Sequence, residues 1–188
     1  LTLGGVGNGT VIDYVEIISN EDDGLEIFGG TVNLKHMVVS GCGDDAFDYD
    51  LGWSGNGQFL LGVQSNGDNL VEAGGGVSPV NGLPFSLPKI YNATLIGGNS
   101  GIGYCVAFRN NAGGSIANSI FINKPNGISI ESTDLAHDSY YQWKTGNLGV
   151  LNNLFFDVSD SSPESIFLLS GIYTPAQEGE LDGYFYSA

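Results

Sequence analysis

Near its start the chain repeats itself at an interval of 22 residues. "NEDDGLEIFGG" at 20–30 returns as "CGDDAFDYDLG" at 42–52. Sliding the sequence by that interval puts Ile12, Val15 and Ile17 on Leu34, Met37 and Val39, and Leu25 and Ile27 on Phe47 and Tyr49. Asp22 and Asp23 fall on Asp44 and Asp45, Glu26 on Asp48, and Gly30 on Gly52. A period of this length marks a solenoid, in which each unit buries its apolar face only by stacking on the next. Inside the unit the apolar spacing is two, so its elements are strands. Leucine-rich repeats have a similar length, but their leucine pattern and helical half are missing here.

Later units continue with longer turns: "NGQFLLGVQS" (56–65) with "NLVEAGG" (69–75), then "LPKIYNATLIGG" (87–98) with "YCVAFRNN" (104–111). "GSIANSIFIN" (114–123) precedes "NGISIES" (126–132), and "GVLNNLFFDV" (149–158) begins a sixth turn. The expected architecture is all-β, a right-handed parallel β-helix of about five to six coils, its hand following from strand twist and crossover preference. Coils occupy 1–158 and an irregular or capping segment 159–188, with almost no helix. Asn92, Asn118 and Asn153 each precede a β-rich run. They read either as a ladder bonded along the axis or as ordinary turn residues.

Aligning the second strands places Leu25, Phe47, Val71, Phe108 and Ile128 inside, with Glu26, Asp48, Glu72, Arg109 and Ser129 as their outward neighbours. Parallel strands lie about 4.8 Å apart, so Glu26, Asp48 and Glu72 form a like-charge column. Such a column is destabilising and raises carboxyl pKa values unless Arg109 or a bound cation compensates. Lys35 reads as a cross-strand partner of Asp13.

Composition sharpens this. Five Lys and Arg against 21 Asp and Glu give a net charge of −16. Phosphate recognition needs clustered cations, so nucleic acid is a poor partner, and an anionic membrane surface is disfavoured for the same reason. No apolar run reaches the roughly 18 residues a membrane span requires. The 30 glycines suit many tight turns. Cys42 and Cys105 are too few for a disulfide framework and lack metal-ligand spacing. The opening "LTLGGVGNGT" reads as mid-domain sequence, so a preceding coil, a cap or a stacked neighbouring subunit is expected at that end.

The segments "GTVIDYVEI", "DDGLEIFGGTVNLKHMVVSG", "DDAFDYDLGWSGNGQF" and "FRNNAGGSIANSIFINKPNGISIE" resemble secreted bacterial right-handed parallel β-helix repeat proteins of the pectin-lyase-like superfamily. The similarity covers roughly 1–132. It implies the fold and an exported, extracellular or cell-surface location. Polysaccharide lyases on this fold pair calcium-binding acids with a basic residue, and hydrolases on it use two or three aspartates.

Three groups of residues are candidates for chemistry. Asp22, Asp23, Asp44 and Asp45 sit at equivalent corners and offer hard oxygen ligands suited to calcium. The alternative is that they cap turn amides with no ion. Asp45, Asp48 and Asp50 with Arg109 are the set that could imitate a lyase or hydrolase. The loop "STDLAHDSYYQWKTG" at 132–146 interrupts the coils, and its Tyr140, Tyr141 and Trp143 are candidates for stacking on sugar rings, beside Asp134, His137 and Asp138. Two functions follow. One is an extracellular solenoid with a structural, adhesive or self-assembly role, which binds glycan, needs no cofactor beyond optional calcium and stacks end to end with copies of itself. The other is a carbohydrate-active enzyme using the aspartates.

Overall fold

The structure, a computed structural model, describes residues 1–76, 79–98, 102–133 and 137–186. Its chain winds through three sheet faces per coil, and every strand pairing is parallel. The first face is a seven-stranded sheet: β1 (Thr2–Gly4), β4 (Leu25–Phe28), β6 (Phe47–Asp50), β8 (Val71–Gly74), β11 (Val106–Arg109), β14 (Ile128–Ser132) and β17 (Phe167–Gly171). The second face contains β2 (Val11–Asp13), the first half of β5 (Asn33–Ser40), the first half of β7 (Asn56–Val63), β9 (Lys89–Tyr91), β12 (Gly114–Ala117) and β15 (Leu148–Leu151). The third contains β3 (Glu16–Ile18), the second halves of β5 and β7, β10 (Thr94–Ile96), β13 (Ile120–Lys124) and β16 (Leu154–Val158). This is the parallel β-helix that the repeat predicts.

Between the second and third faces each coil turns on one residue in the left-handed region: Tyr14, His36, Phe59, Asn92, Asn118 and Asn152, with φ between 50° and 59°. Asparagine tolerates that conformation, and other residues spend about 1–2 kcal/mol to adopt it. Tyr14 and Phe59 offset part of that cost by stacking on His36, with ring centroids 4.4 and 5.3 Å away. The third asparagine of this column is therefore Asn152 and not Asn153. Asn153 instead accepts from the Ser119 amide at 2.8 Å and donates to the Ile116 carbonyl at 2.9 Å.

The interior is a stack of apolar columns. Leu25, Phe47, Val71, Val106 and Ile128 follow one another in register, as do Ile27, Tyr49, Ala73, Phe108 and Ile130, and all are buried. Phe47 and Val71 share a column, as the repeat requires. Phe108 is interior as expected but stands two residues further along the rung. The outward neighbour of Glu72 is consequently Ala107, and Arg109 lies opposite Gly74. The long turn between β8 and β11 hides this shift from any fixed-interval alignment. Asp13 lies opposite Lys35 in register, yet its carboxylate pairs with His36 Nδ1 at 2.8 Å, while Lys35 Nζ sits 5.8 Å from the Phe59 ring. Trp53 is buried and donates to the Val32 carbonyl at 3.0 Å, which anchors the "GWSGNG" turn to the coil before it.

Three helices among the described residues depart from the expectation of almost none. Helix α1 (Ser139–Lys144) lies between β14 and β15, and α2 (Pro163–Ile166) and α3 (Pro175–Tyr186) lie beyond β16. Asp138 caps α1, its Oδ1 accepting from the Tyr141 amide at 2.7 Å, and Gly146 at φ 79° turns the chain away after it. Strand β17 falls inside 159–188 and forms the last rung of the first sheet, with α2 and α3 packed on it.

Candidate functional site

The corner that leads each coil into the first sheet carries the acids, and their first task is structural. Asp23 Oδ1 accepts the Asp45 amide at 2.9 Å. Asp45 Oδ1 accepts the Asn69 amide at 2.6 Å, and Asn69 Oδ1 accepts the Tyr104 amide at 2.9 Å. One side-chain oxygen per coil thus satisfies a backbone donor of the next, and Asn69 does so without charge. The position demands an acceptor and not a carboxylate.

Charge accumulates along this ladder all the same. Carboxyl oxygens of Asp22, Asp23 and Asp44 lie within 4.8 Å of one another, as do those of Asp44, Asp45 and Asp68, and those of Asp23, Glu26 and Asp48. Burial, reinforced by Glu72 and Asp23, pushes Asp45 and Asp48 up to about 8. Burial also raises Asp23 and Glu72, with Arg109 opposing it at Glu72. Arg109 reaches diagonally across the sheet to Glu72 Oε1, so it does compensate the column from the expected rung, although it stands two residues further along it.

The four corner acids proposed as metal ligands do not converge on one point. Asp22, Asp23 and Asp44 form one group, and Asp45 shares the next with Asp44 and Asp68. Oxygens ligating one calcium at about 2.4 Å stand at most about 4.8 Å apart, so either group fits that ion as a three-carboxylate site completed by water. Asp22 and Asp44 are exposed and available to it, whereas Asp23 and Asp45 each commit one oxygen to the ladder. Asp68 was hidden from the repeat alignment by the longer turn before β8. The pair Asp68-Asn69 stands where Asp22-Asp23 and Asp44-Asp45 stand in the preceding coils.

Within the set Asp45, Asp48, Asp50 and Arg109, the side chains differ in what they can reach. Asp45 is 4% exposed and bonded into the ladder. Asp50 Oδ1 accepts the Leu51 amide at 2.6 Å, and its carboxyl fills the space that a side chain at Gly74 would need. Asp48 projects outward, half-buried, with Glu72 opposite it in register. A shallow cavity of about 240 Å³ continues along this face, lined by Glu72, Arg109, Ser129 and Glu131.

A second, larger cavity of about 400 Å³ lies between the turn after β8 and helix α1. Asn81, Leu83 and Phe85 form one wall, and His137, Tyr141, Gln142 and Thr145 the other. A chain of amides ties the walls together: Gln142 Nε2 donates to Asn111 Oδ1 at 2.6 Å, Asn147 Nδ2 to Gln142 Oε1 at 2.9 Å, and Asn111 Nδ2 to the Val80 carbonyl at 3.1 Å. Tyr141 is 44% exposed and faces this cavity. Tyr140 and Trp143 occupy the other side of α1, where Tyr140 donates to Glu180 Oε2 at 2.6 Å and packs on Trp143. The three aromatic residues therefore do not form one platform. Asp134 lies outside the described residues. The residues 81–85 had no motif to announce them; their only signal was the length of the turn that carries them.

Stacked parallel coils, each adding one rung to every sheet face, define a parallel β-solenoid. The chain belongs to the family of pectate-lyase-like β-helix domains, whose family model matches residues 1–170. No curated protein and no solved structure matches it. No helix among the described residues is long and apolar enough to cross a membrane.

Proposed function

We propose that this chain is a non-catalytic, carbohydrate-binding β-solenoid that works outside the cell, with polysaccharide as its ligand. The observation that carries the reading is the 400 Å³ cavity, where an exposed Tyr141 ring stands among amide side chains. An aromatic face covers the apolar side of a pyranose, and amides exchange hydrogen bonds with its hydroxyls. The acids of the corner ladder are engaged in holding coils together, which agrees with a structural role for them. Calcium bound at Asp22, Asp23 and Asp44 would stabilise two corners without taking part in turnover.

A second reading rests on Asp48. A carboxyl held protonated near neutral pH beside an Arg–Glu pair is what a general acid in glycoside cleavage requires. One experiment separates the two. Affinity electrophoresis and calorimetry against neutral and acidic polysaccharides are run with wild type, Tyr141→Ala and Asp48→Asn, alongside a digestion assay. The binding reading expects no turnover and a loss of about tenfold in affinity, some 1.4 kcal/mol, in Tyr141→Ala alone. Turnover abolished in Asp48→Asn, or binding indifferent to Tyr141, overturns it.

A further inference from the structure

Charge is unevenly placed around the solenoid. The acid ladder occupies the corner between the third and first faces, which in a three-sided coil stands opposite the second face. On the outer side of the second face the charged residues are Asp13, Lys35 and Lys89, and Asp13 is paired with His36. The turns that lead into this face at 5–10, 29–32, 51–55, 79–88 and 110–113 contain no charged residue. The last such turn carries α1, where Asp138 is buried in the cap and Lys144 pairs with Glu180 at 2.7 Å. A chain at −16 thus keeps one side that is not acidic. Its five cations differ in their commitments. Arg109 reaches Glu72, Lys144 reaches Glu180, Lys124 is buried and donates to the Asp68 carbonyl, and Lys35 stands over the Phe59 ring. Lys89 is exposed, and among the described residues its ammonium has no partner.

Lys89 lines a trough of about 310 Å³ on this side of the solenoid. In its outward column the next two rungs are Ser115 and Gly149, so the side chains shrink beside the ammonium and leave the trough open. Asn147 lines both this trough and the Tyr141 cavity. Its Nδ2 donates to Gln142 Oε1 at 2.9 Å, which leaves Oδ1 to accept from a ligand hydroxyl. We propose that the two cavities are one glycan groove bridged by Asn147. Lys89 is its second subsite, taking a carboxylate or sulfate carried by the sugar chain beyond the residue stacked on Tyr141. The proposal rests on the reading of the Tyr141 cavity as a polysaccharide site. Each cavity falls in the range of about 300–1,000 Å³ usual for small-ligand sites. Placement lets an anion approach: at about 0.15 M salt the field of the acid ladder, on the opposite corner, is screened over about 8 Å, whereas a contact at Lys89 is not. An ammonium on a flexible stem is a point charge that suits either anion.

Calorimetry of the whole chain at about 0.15 M salt tests this, with hydroxyethyl, carboxymethyl and sulfated cellulose and with polygalacturonate and its methyl ester as probes. Each set holds the backbone fixed and varies the charge, and the carboxymethyl and sulfated forms separate the two anions. Wild type should bind a charged form about fivefold more tightly than the neutral form of the same backbone. In Lys89→Gln that ratio should fall to about one. Gly149→Phe fills the trough without touching any charge and should weaken every form. A Cβ at Gly149 meets only Leu151, at 3.5 Å, so the fold accommodates it, and circular dichroism and melting check each variant. Tyr141→Ala should weaken all forms alike. Wild type without preference for charge, a preference that survives Lys89→Gln, or binding indifferent to Gly149→Phe overturns the subsite alone, provided Tyr141→Ala still weakens binding. Indifference to Tyr141→Ala, or binding of no probe, overturns the cavity reading and the subsite with it.

Discussion

Replacing Asp48 by Asn should make the protein more stable, and only above acid pH. Asp48 stands between Glu26 and Glu72 in the outward column of the first sheet. Burial first, then Glu72, Asp23 and Asp45, push its carboxyl from 3.8 to about 8. Below the unfolded value both states are protonated and the group contributes nothing. Between 3.8 and about 8 the unfolded chain ionises while the folded one holds its proton, so folded stability falls as pH rises. If Asp48 ionised alone at high pH the full displacement would correspond to about 5.5 kcal/mol. Neighbouring carboxyls share the proton and the side chain is partly solvated, so about 1–3 kcal/mol of relief is expected from the neutral amide. For a chain of this size that is a rise of roughly 3–10 °C in melting temperature. Thermal melts of wild type and Asp48→Asn at pH 4 and pH 9, in chelator to remove divalent ions, give the comparison. The variant should gain at pH 9 and differ little near pH 4. An equal shift at both values, or a variant less stable at pH 9, would refute the argument that this column is strained by its own charge.

The corner ladder makes a separable claim: Asp45→Asn retains the acceptor for the Asn69 amide and should melt at or above wild type, whereas Asp45→Ala leaves that amide buried and unpaired at a cost of about 1–3 kcal/mol, both read by chemical denaturation. Calcium should raise the melting temperature at neutral pH, and the double variant Asp22→Asn, Asp44→Asn should abolish that rise without lowering the melt measured in chelator. Phe108→Ala removes a fully buried ring from the interior columns and should cost about 3–5 kcal/mol in the same denaturation assay. Phe121→Ala, stacked on Phe155 with centroids 5.1 Å apart, should cost a similar amount.

The repeat at 22 residues and the two-residue alternation within it were enough to specify stacked parallel coils and the interior placement of Leu25, Phe47 and Val71. Both signals are local and regular, and a solenoid's neighbours in space are its neighbours one period away in sequence. Where the period held, even side-chain partners were legible, as with Asp22-Asp23 above Asp44-Asp45. Where a turn lengthened, the count was lost. Between β8 and β11 the true register moves by two residues, which exchanged Arg109 for Ala107 beside Glu72 and left the Arg–Glu pair to be formed on a diagonal. The cavity between residues 81–85 and helix α1 was illegible for a related reason: its walls come from turns of two different coils, and no periodic rule says how far a turn projects or onto what it folds. The largely apolar outer side of the third face was visible as letters, since "FLLGV" and "LIGG" are apolar throughout. Only the fold shows which of those residues point outward, because alternation fixes relative sides and the core fixes which side is in.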